Sequence, residues 1–302
     1  MTISGFTMVR NATRFYFPIK ESILSILPIV DEFVVALGKG SDDDKTEEEI
    51  LSLNSPKIKI IHRVWDEKRF LDGAIFKDET NAALSQCKGD WCFYLQADEV
   101  IHENDLPKIQ DYCAKYLNNE KVEGLLFKYY HFWGDYNHHL PYHGWCRNEI
   151  RVIRNNCNIV SFKDAISFRK TDDSKLSVVP IDAHIFHYGW VRPPLSMKSK
   201  KKEQDLIHSG KSTASNSNVV DSGFDYGPLG RLPLFNKSHP KVMETRIKEL
   251  YWKDKLNYTK TFPKNYIYNK HEKTKYRIIS WLENNLFGGK QLVGYKNWKT
   301  IK

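Results

Sequence analysis

The feature that most constrains this chain is the alternation of short apolar runs with helix-patterned segments over its first hundred residues. Gly5 to Val9 reads as an opening strand, and Tyr16 to Ile29 carries Ile19, Ile23, Leu24 and Leu27 at helical spacing. Glu32 to Leu37 is a compact apolar strand that runs into Gly38, Gly40 and the acidic turn Ser41-Asp42-Asp43-Asp44. Thr46 to Leu53 reads as helix, Lys57 to His62 as a third strand, Asp78 to Cys87 as helix and Trp91 to Leu95 as a fourth, almost wholly apolar strand. Apolar strands separated by helices predict a mainly parallel sheet covered on both faces. Such sheets bind ligands at the carboxyl ends of their strands, which here carry Arg10-Asn11, Ser41 to Asp44 and Gln96 to Glu99.

From Gly124 the texture changes. Leu125 to Trp133 is rich in aromatics, Glu149 to Arg154 and Ile181 to Trp190 read as strands, and Ile159 to Phe168 as an irregular β segment. The basic run Lys198 to Lys202 reads as a solvated loop, with a lid closing on phosphates as the alternative. Ser209 to Gly230, rich in Ser, Asn and Gly, predicts a mobile loop or linker. Lys275 to Phe287 predicts a helix stopped at Gly288-Gly289, with Ile278, Ile279, Leu282 and Leu286 near one face and Trp281 and Phe287 flanking them. Packing of that face on the body is its ordinary role; resting on an anionic membrane is the other.

Charge is unevenly spread. Residues 236–302 hold 16 Lys and Arg against five Asp and Glu, whereas the rest of the chain is close to neutral. The basic tail fits anionic headgroups, phosphorylated substrates or, if the protein were a non-enzymatic binder, nucleic acid. No apolar run approaches the ~20 residues that span a bilayer. The start shows no basic stretch followed by an apolar one, so the expectation is a soluble, cytoplasmic protein. Five widely spaced cysteines without a Cys-x-x-Cys pair predict free thiols.

Gln96 and Asp98 stand at i and i+2 after the fourth strand and face one side of an extended chain. A carboxylate with a neighbouring oxygen donor suits Mg²⁺ or Mn²⁺ bridging a diphosphate. An acidic turn capping the next segment gives the same pattern. Farther on, Tyr129 to Trp145 joins aromatics with His131, His138, His139 and His143, a mixture that suits sugar rings, since flat C–H faces pack on aromatics and imidazoles bond hydroxyls. A zinc site is the competing reading of those histidines.

The stretch Glu79-Thr80-Asn81-Ala82-Ala83-Leu84, then Cys87-Lys88-Gly89-Asp90-Trp91, then Tyr94-Leu95-Gln96-Ala97-Asp98-Glu99 resembles family 2 glycosyltransferases of the GT-A fold. The opening strand with Arg10-Asn11 and the Gly40 to Thr46 turn fit the same order. Trp145 to Arg154 and His187-Tyr188-Gly189-Trp190 resemble the branch that builds bacterial lipopolysaccharide core or capsule. The departures are specific. Gln96 replaces the first acid of the Asp-x-Asp motif, Leu37-Gly38 replaces an acidic pair, and Thr80 stands where the family helix has Arg, with Lys77 one turn earlier on the face of Asn81.

The resemblance implies a Rossmann-like GT-A domain over residues 1–235, with a nucleotide-sugar half to about residue 100, an acceptor half beyond it, and a basic helical extension over 236–302. It implies an inverting glycosyltransferase in bacterial surface polysaccharide synthesis, taking a nucleotide-diphosphate sugar and a glycan or lipid-linked acceptor, and no nucleic acid. Arg10, Asn11, Asp43, Asp44, Lys77, Asn81, Gln96 and Asp98 would face the donor. Asp98 and His187 would hold Mn²⁺ or Mg²⁺, with Gln96 offering only a neutral oxygen. Asp164 or Glu149 would be the base, Asp164 slightly preferred, because Glu149 lies among Arg147, Arg151 and Arg154 and reads as ion-paired. Trp133, His143 and Trp145 would receive the acceptor. Two competitors stand beside this reading: a non-catalytic binding protein of the same fold, and a sugar-phosphate nucleotidyltransferase. The latter needs a glycine-rich loop where Arg10-Asn11-Ala12-Thr13 stands.

Overall fold

The computed structural model describes residues 1–155, 157–209, 219–220, 222–264, 266, 268–289, 291–292, 294 and 296–301. Strands β1 (Ile3–Val9), β2 (Glu32–Gly38), β3 (Ile58–Arg63) and β4 (Trp91–Tyr94) alternate with helices α1 (Ile19–Ile26), α2 (Thr46–Leu51) and α3 (Ala74–Leu84). Strand β5 (Glu99–Ile101) and helix α4 (Leu106–Lys115) follow, then β6 (Gly124–Trp133), β7 (Asn148–Arg154), the hairpin β8 (Ile159–Phe162) and β9 (Ser167–Lys170), β10 (Leu176–Trp190) and helix α5 (Pro194–Ser209). The chain continues through β11 (Val219–Val220), β12 (Gly223–Phe224), α6 (Glu244–Lys248), α7 (Thr274–Asn285) and β13 (Trp298–Thr300).

One nine-stranded sheet organises the molecule in the order β13-β10-β6-β7-β4-β1-β2-β3, with β5 added to β10. Strands β4, β1, β2 and β3 pair in parallel, as do β6 and β10, while β7 runs antiparallel to both β4 and β6. The predicted mixed, mainly parallel α/β sheet is therefore observed. Its inner strands β2 and β4 are buried on both sides because alternate residues enter different cores, while the edge strands β3 and β13 stay partly exposed. Phe33, Val35, Trp91 and Phe93 pack under α1 and α4, whereas Val34, Ala36, Cys92 and Tyr94 pack with Ala83 of α3. Burying either face removes apolar area from water at roughly 25 cal/mol per Å², so a one-residue register slip would exchange two filled cores.

This topology positions the site. Because β7 reverses between β4 and β6, the carboxyl ends of β1, β4, β6 and β10 and the amino end of β7 share one edge of the sheet.

Three segments differ from the sequence reading. The run 198–202 is no loop but part of α5, whose Met197, Lys200 and Ile207 are buried. Residues 210–218 and 221 of the expected linker lie outside the described residues; of the remainder, Phe224, Tyr226 and Leu229 are buried in an aromatic cluster with Trp133. Helix α7 turns much of its apolar stripe outward. It buries Ser280 and Glu283, half-buries Ile279 and Leu282, and leaves Ile278, Trp281 and the C-cap residue Leu286 exposed at 56%, 58% and 61%. A polar anchor outweighs the apolar stripe: Glu283 takes the His143 ring at 2.9 Å, the Arg147 guanidinium at 3.1 Å and the Leu292 amide at 3.0 Å. The basic tail folds back on the body elsewhere too, through Met243 and Trp252 packed with Phe132 and Tyr188, and through β13 paired with β10. All five cysteines are free thiols. Among the described residues no helix is long and apolar enough to cross a membrane.

Candidate functional site

A cavity of about 860 Å³ opens at the edge where the strand ends converge. Arg10 enters from the end of β1, Gln96 and Asp98 from the turn after β4, Glu149 from the start of β7, and His187 and Trp190 from the end of β10. The β8–β9 turn contributes Asp164, and α5 closes one wall with Lys200, Glu203, Gln204 and Ile207.

The turn after β4 is fixed by a buried ion pair. Arg151 of β7 donates to both oxygens of Glu99, Nε to Oε2 and Nη2 to Oε1, each at 2.8 Å, and the Tyr129 hydroxyl donates to Oε1 at 2.7 Å. The backbone amide of Gln96 donates to Glu99 Oε2 at 3.1 Å, so the chain from Gln96 to Glu99 is closed on itself. The Gln96 side chain donates to the carbonyl of Ala165 at 3.1 Å, tying this turn to the one that bears Asp164.

Asp98 sits at the centre. Its Oδ2 meets Lys200 Nζ at 3.4 Å, Arg192 Nη2 at 3.8 Å and His187 Nε2 at 3.9 Å. Burial disfavours the carboxylate, but Lys200 leads the neighbours that outweigh it and hold Asp98 below its ordinary value. Lys200, buried in turn and facing Arg192, is drawn down to about 7. Gly189 makes the cluster sterically feasible. A Cβ there would stand 2.7 Å from Asp98 Oδ2 and overlap the His187 ring.

The histidines behind this cluster have a defined tautomer. His131 Nε2 lies 2.6 Å from the carbonyl of Cys146, which can only accept, so that nitrogen carries the proton. Burial drives His131 down to about 3 and His187 to about 4, so both rings are neutral near pH 7. His131 Nδ1 then accepts from His187 Nδ1 at 3.0 Å, which leaves His187 Nε2 unprotonated on the side of Asp98.

A divalent ion fits this donor set poorly. Mg²⁺ and Mn²⁺ favour several oxygen donors in octahedral array. The cluster offers one carboxylate, whose Oδ2 already faces an ammonium and a guanidinium, together with one imidazole nitrogen and the neutral Gln96 oxygen. Among the described residues no group of three His, Cys, Asp or Glu side chains is arranged to hold a metal.

The two acids expected to serve as base occupy different surroundings. Asp164 is half-buried in the β8–β9 turn, between Lys163 and Ala165 at φ +55° and +61°. Glu149 is buried, its Oε2 has no hydrogen-bond partner, and burial raises it to about 7. The three arginines near it in sequence are engaged elsewhere: Arg147 with Glu283, Arg151 with Glu99, and Arg154 with the carbonyls of Tyr116, Leu117, Asn119 and Val122. A buried carboxyl titrating near neutrality on a cavity wall is what a proton-transfer group requires.

Of the residues read from the sequence, Arg10, Gln96, Asp98, Glu149, Asp164, His187, His143 and Trp145 reach the cavity. Six do not. Asn11 accepts from the Ser41 amide at 2.8 Å, and Asp44 from the hydroxyls of Thr13 and Thr46 at 2.7 Å each, so both stitch the first two strand ends together. Asp43 is exposed in a separate shallow depression. Asn81 accepts from the Ser161 amide at 2.8 Å, joining α3 to β8, and Lys77 on α3 is absent from the cavity wall. Trp133 is buried, its indole donating to the carbonyl of Tyr226 at 2.8 Å. The residues missed are Lys200, Arg192 and the Glu99–Arg151 pair. For Lys200 a signal existed: Met197, Lys200, Gln204 and Ile207 follow one helical stripe.

No protein-family model and no curated protein matches this chain. Among solved structures, residues 1–349 of S. aureus TarS align at 19% identity over 42% of this chain and 35% of that one, with a TM-score of 0.33. The same segment of TarS in complex with UDP-GlcNAc gives 18% identity over 42% and 34%, with a TM-score of 0.30. Glucosyl-3-phosphoglycerate synthase from Mycobacterium tuberculosis, in complex with Mn²⁺, UDP and phosphoglyceric acid, aligns at 20% identity over 43% of each chain, with a TM-score of 0.29. The aligned part thus spans less than half the length of any of these structures.

Proposed function

We propose that the cavity transfers a sugar from a nucleotide-diphosphate donor to a hydroxyl of a glycan or lipid-linked acceptor, with inversion, in the assembly of a bacterial surface polysaccharide. The observation that carries this reading is the placing, in one cavity at the strand ends, of two cations (Lys200 beside Asp98 and Arg10 beside Glu203) and the buried acid Glu149, one of whose oxygens has no hydrogen-bond partner. The cations suit the diphosphate. Glu149 suits the acceptor, whose hydroxyl proton it would take as the oxygen attacks the anomeric carbon. Trp145 and Trp190, edge to face at 5.8 Å, give sugar rings a wall to pack on. A calorimetric panel of UDP-, GDP-, dTDP- and CMP-sugars tests it. Saturable binding of one of the UDP-, GDP- or dTDP-sugars supports the reading; binding of the monophosphate CMP-sugar alone, or of none of them, contradicts it.

Helix α7 bears on where the acceptor resides. Its outer face presents Ile278, Trp281 and Leu286, with Lys273, Lys275 and Arg277 exposed on the same helix and just before it. Its inner face is tied through Glu283 to His143 on the cavity wall. An apolar strip edged with cations suits an anionic lipid surface. The chain is expected to cosediment with vesicles containing phosphatidylglycerol and to stay in solution with phosphatidylcholine alone. The Ile278→Ser/Trp281→Ser double variant should lose most of that binding; unchanged sedimentation would remove α7 from the interface.

A further inference from the structure

We propose that Lys200 is the resident cation of this site: its ammonium neutralises the departing nucleoside diphosphate, and transfer needs no divalent ion. The inference rests on the donor reading above and deepens it. Lys200 is only 7% exposed, yet it lines the cavity. Its Nζ donates to the carbonyl of Gly189 at 2.8 Å and to Asp98 Oδ2 at 3.4 Å. An ammonium has three donors, and the two protein contacts leave one for a ligand.

The remaining residues hold that ammonium in place. Arg192, fully buried, donates to the carbonyl of Phe15 at 2.7 Å, while its Nε and Nη2 have no hydrogen-bond partner and Nη2 faces Asp98. Asp98 therefore acts as a positioning residue, an anion held between a guanidinium behind it and the ammonium in front. Lys200 stands on the sixteen-residue helix α5, so its place does not depend on a loop. Arg10 supplies a second cation on the cavity wall. Its guanidinium lies 5.3 Å from the centre of the Trp65 ring, its Nη1 stands 3.9 Å from Glu203 Oε1, and its Nε is buried without a hydrogen-bond partner.

The chemistry balances without a metal. The bond between the anomeric carbon and the diphosphate oxygen breaks, and its electron pair leaves with that oxygen. The acceptor oxygen forms the new bond to the anomeric carbon, and its proton passes to Glu149. The nucleoside diphosphate gains one negative charge, and Lys200 and Arg10 offset it in a site partly shielded from water.

The test uses the full chain stripped with EDTA, with UDP, GDP and dTDP as probes in calorimetry and their sugars in transfer assays. One diphosphate should bind in excess EDTA within about twofold of its affinity with Mn²⁺. Lys200→Gln should weaken it roughly 10- to 100-fold, the loss of one charge-assisted hydrogen bond, with no rescue by Mn²⁺. Lys202→Gln, exposed on the same helix, should bind as the parent does. Binding by the parent only when Mn²⁺ or Mg²⁺ is present, or unchanged binding by a folded Lys200→Gln, overturns this inference and leaves the transferase reading standing. The EDTA comparison needs no variant to fold. Absence of diphosphate binding under every condition overturns the transferase reading itself.

Discussion

Glu149→Gln is expected to lower turnover by about 10²- to 10⁴-fold, the usual worth of a positioned general base, while making the protein more stable above pH 7. The two effects share one cause. Glu149 is buried with an unpartnered oxygen, and burial raises it to about 7 from an ordinary 4.5. A carboxyl whose folded value is raised binds its proton more tightly in the native state, so wild-type stability is full below about pH 4.5 and falls as pH climbs towards 7. At 1.36 kcal/mol per unit, the deficit above pH 7 is about 3 kcal/mol. Glutamine carries no charge to desolvate, so the variant should unfold at higher denaturant than wild type at pH 8 and at a similar concentration at pH 4. Wild-type kcat/KM should pass through a maximum near pH 7, because Glu149 must be ionised to accept the proton while Lys200, also drawn to about 7, must keep its own. A variant with wild-type turnover would move the base to Asp164.

Arg151→Met should produce the largest loss of stability. Arg151 and Glu99 are both buried and joined by two 2.8 Å hydrogen bonds. Removing the arginine leaves the Glu99 carboxylate buried with only the Tyr129 hydroxyl and the Gln96 amide, and breaking such a pair costs about 3–5 kcal/mol. The unfolding midpoint should fall on the order of 5–10 °C. Donor affinity should fall with it, since Glu99 closes the turn that carries Gln96 and Asp98. Adding Glu99→Met to Arg151→Met should recover part of the stability, because the orphaned charge is gone, but not the donor affinity. Equal stability of the single variant and wild type would mean that the pair does not hold the turn.

The fold was legible where the physics is local. β2 and β4 announce themselves as unbroken apolar runs because both faces of the sheet are buried there, and α1 does so through Ile19, Ile23, Leu24 and Leu27 at helical spacing, of which Ile19 and Ile23 are fully buried. Helix α4 went unread although Leu106, Ile109 and Cys113 carry the same spacing. Function-bearing side chains were less legible, because their states depend on distant partners. Glu149 looked paired beside three arginines, but Glu99, 52 residues before Arg151, and Glu283, 136 residues after Arg147, had claimed two of them. Composition treats the lysines of 198–202 alike; only the packing of α5 selects Lys200 and turns it on Asp98. Helix α7 misled in the same way, since a single buried carboxylate decides which face docks.

Everything turns on the strand-end cavity receiving a nucleotide-diphosphate sugar with its phosphates at Lys200 and its sugar towards Glu149. A crystal structure of the protein with the nucleotide sugar chosen by calorimetry tests it most directly. Phosphate oxygens are expected within hydrogen-bond distance of Lys200 Nζ, with the anomeric carbon on the Glu149 side and no metal ion between them. A nucleotide bound elsewhere, or phosphates facing away from α5, would contradict it.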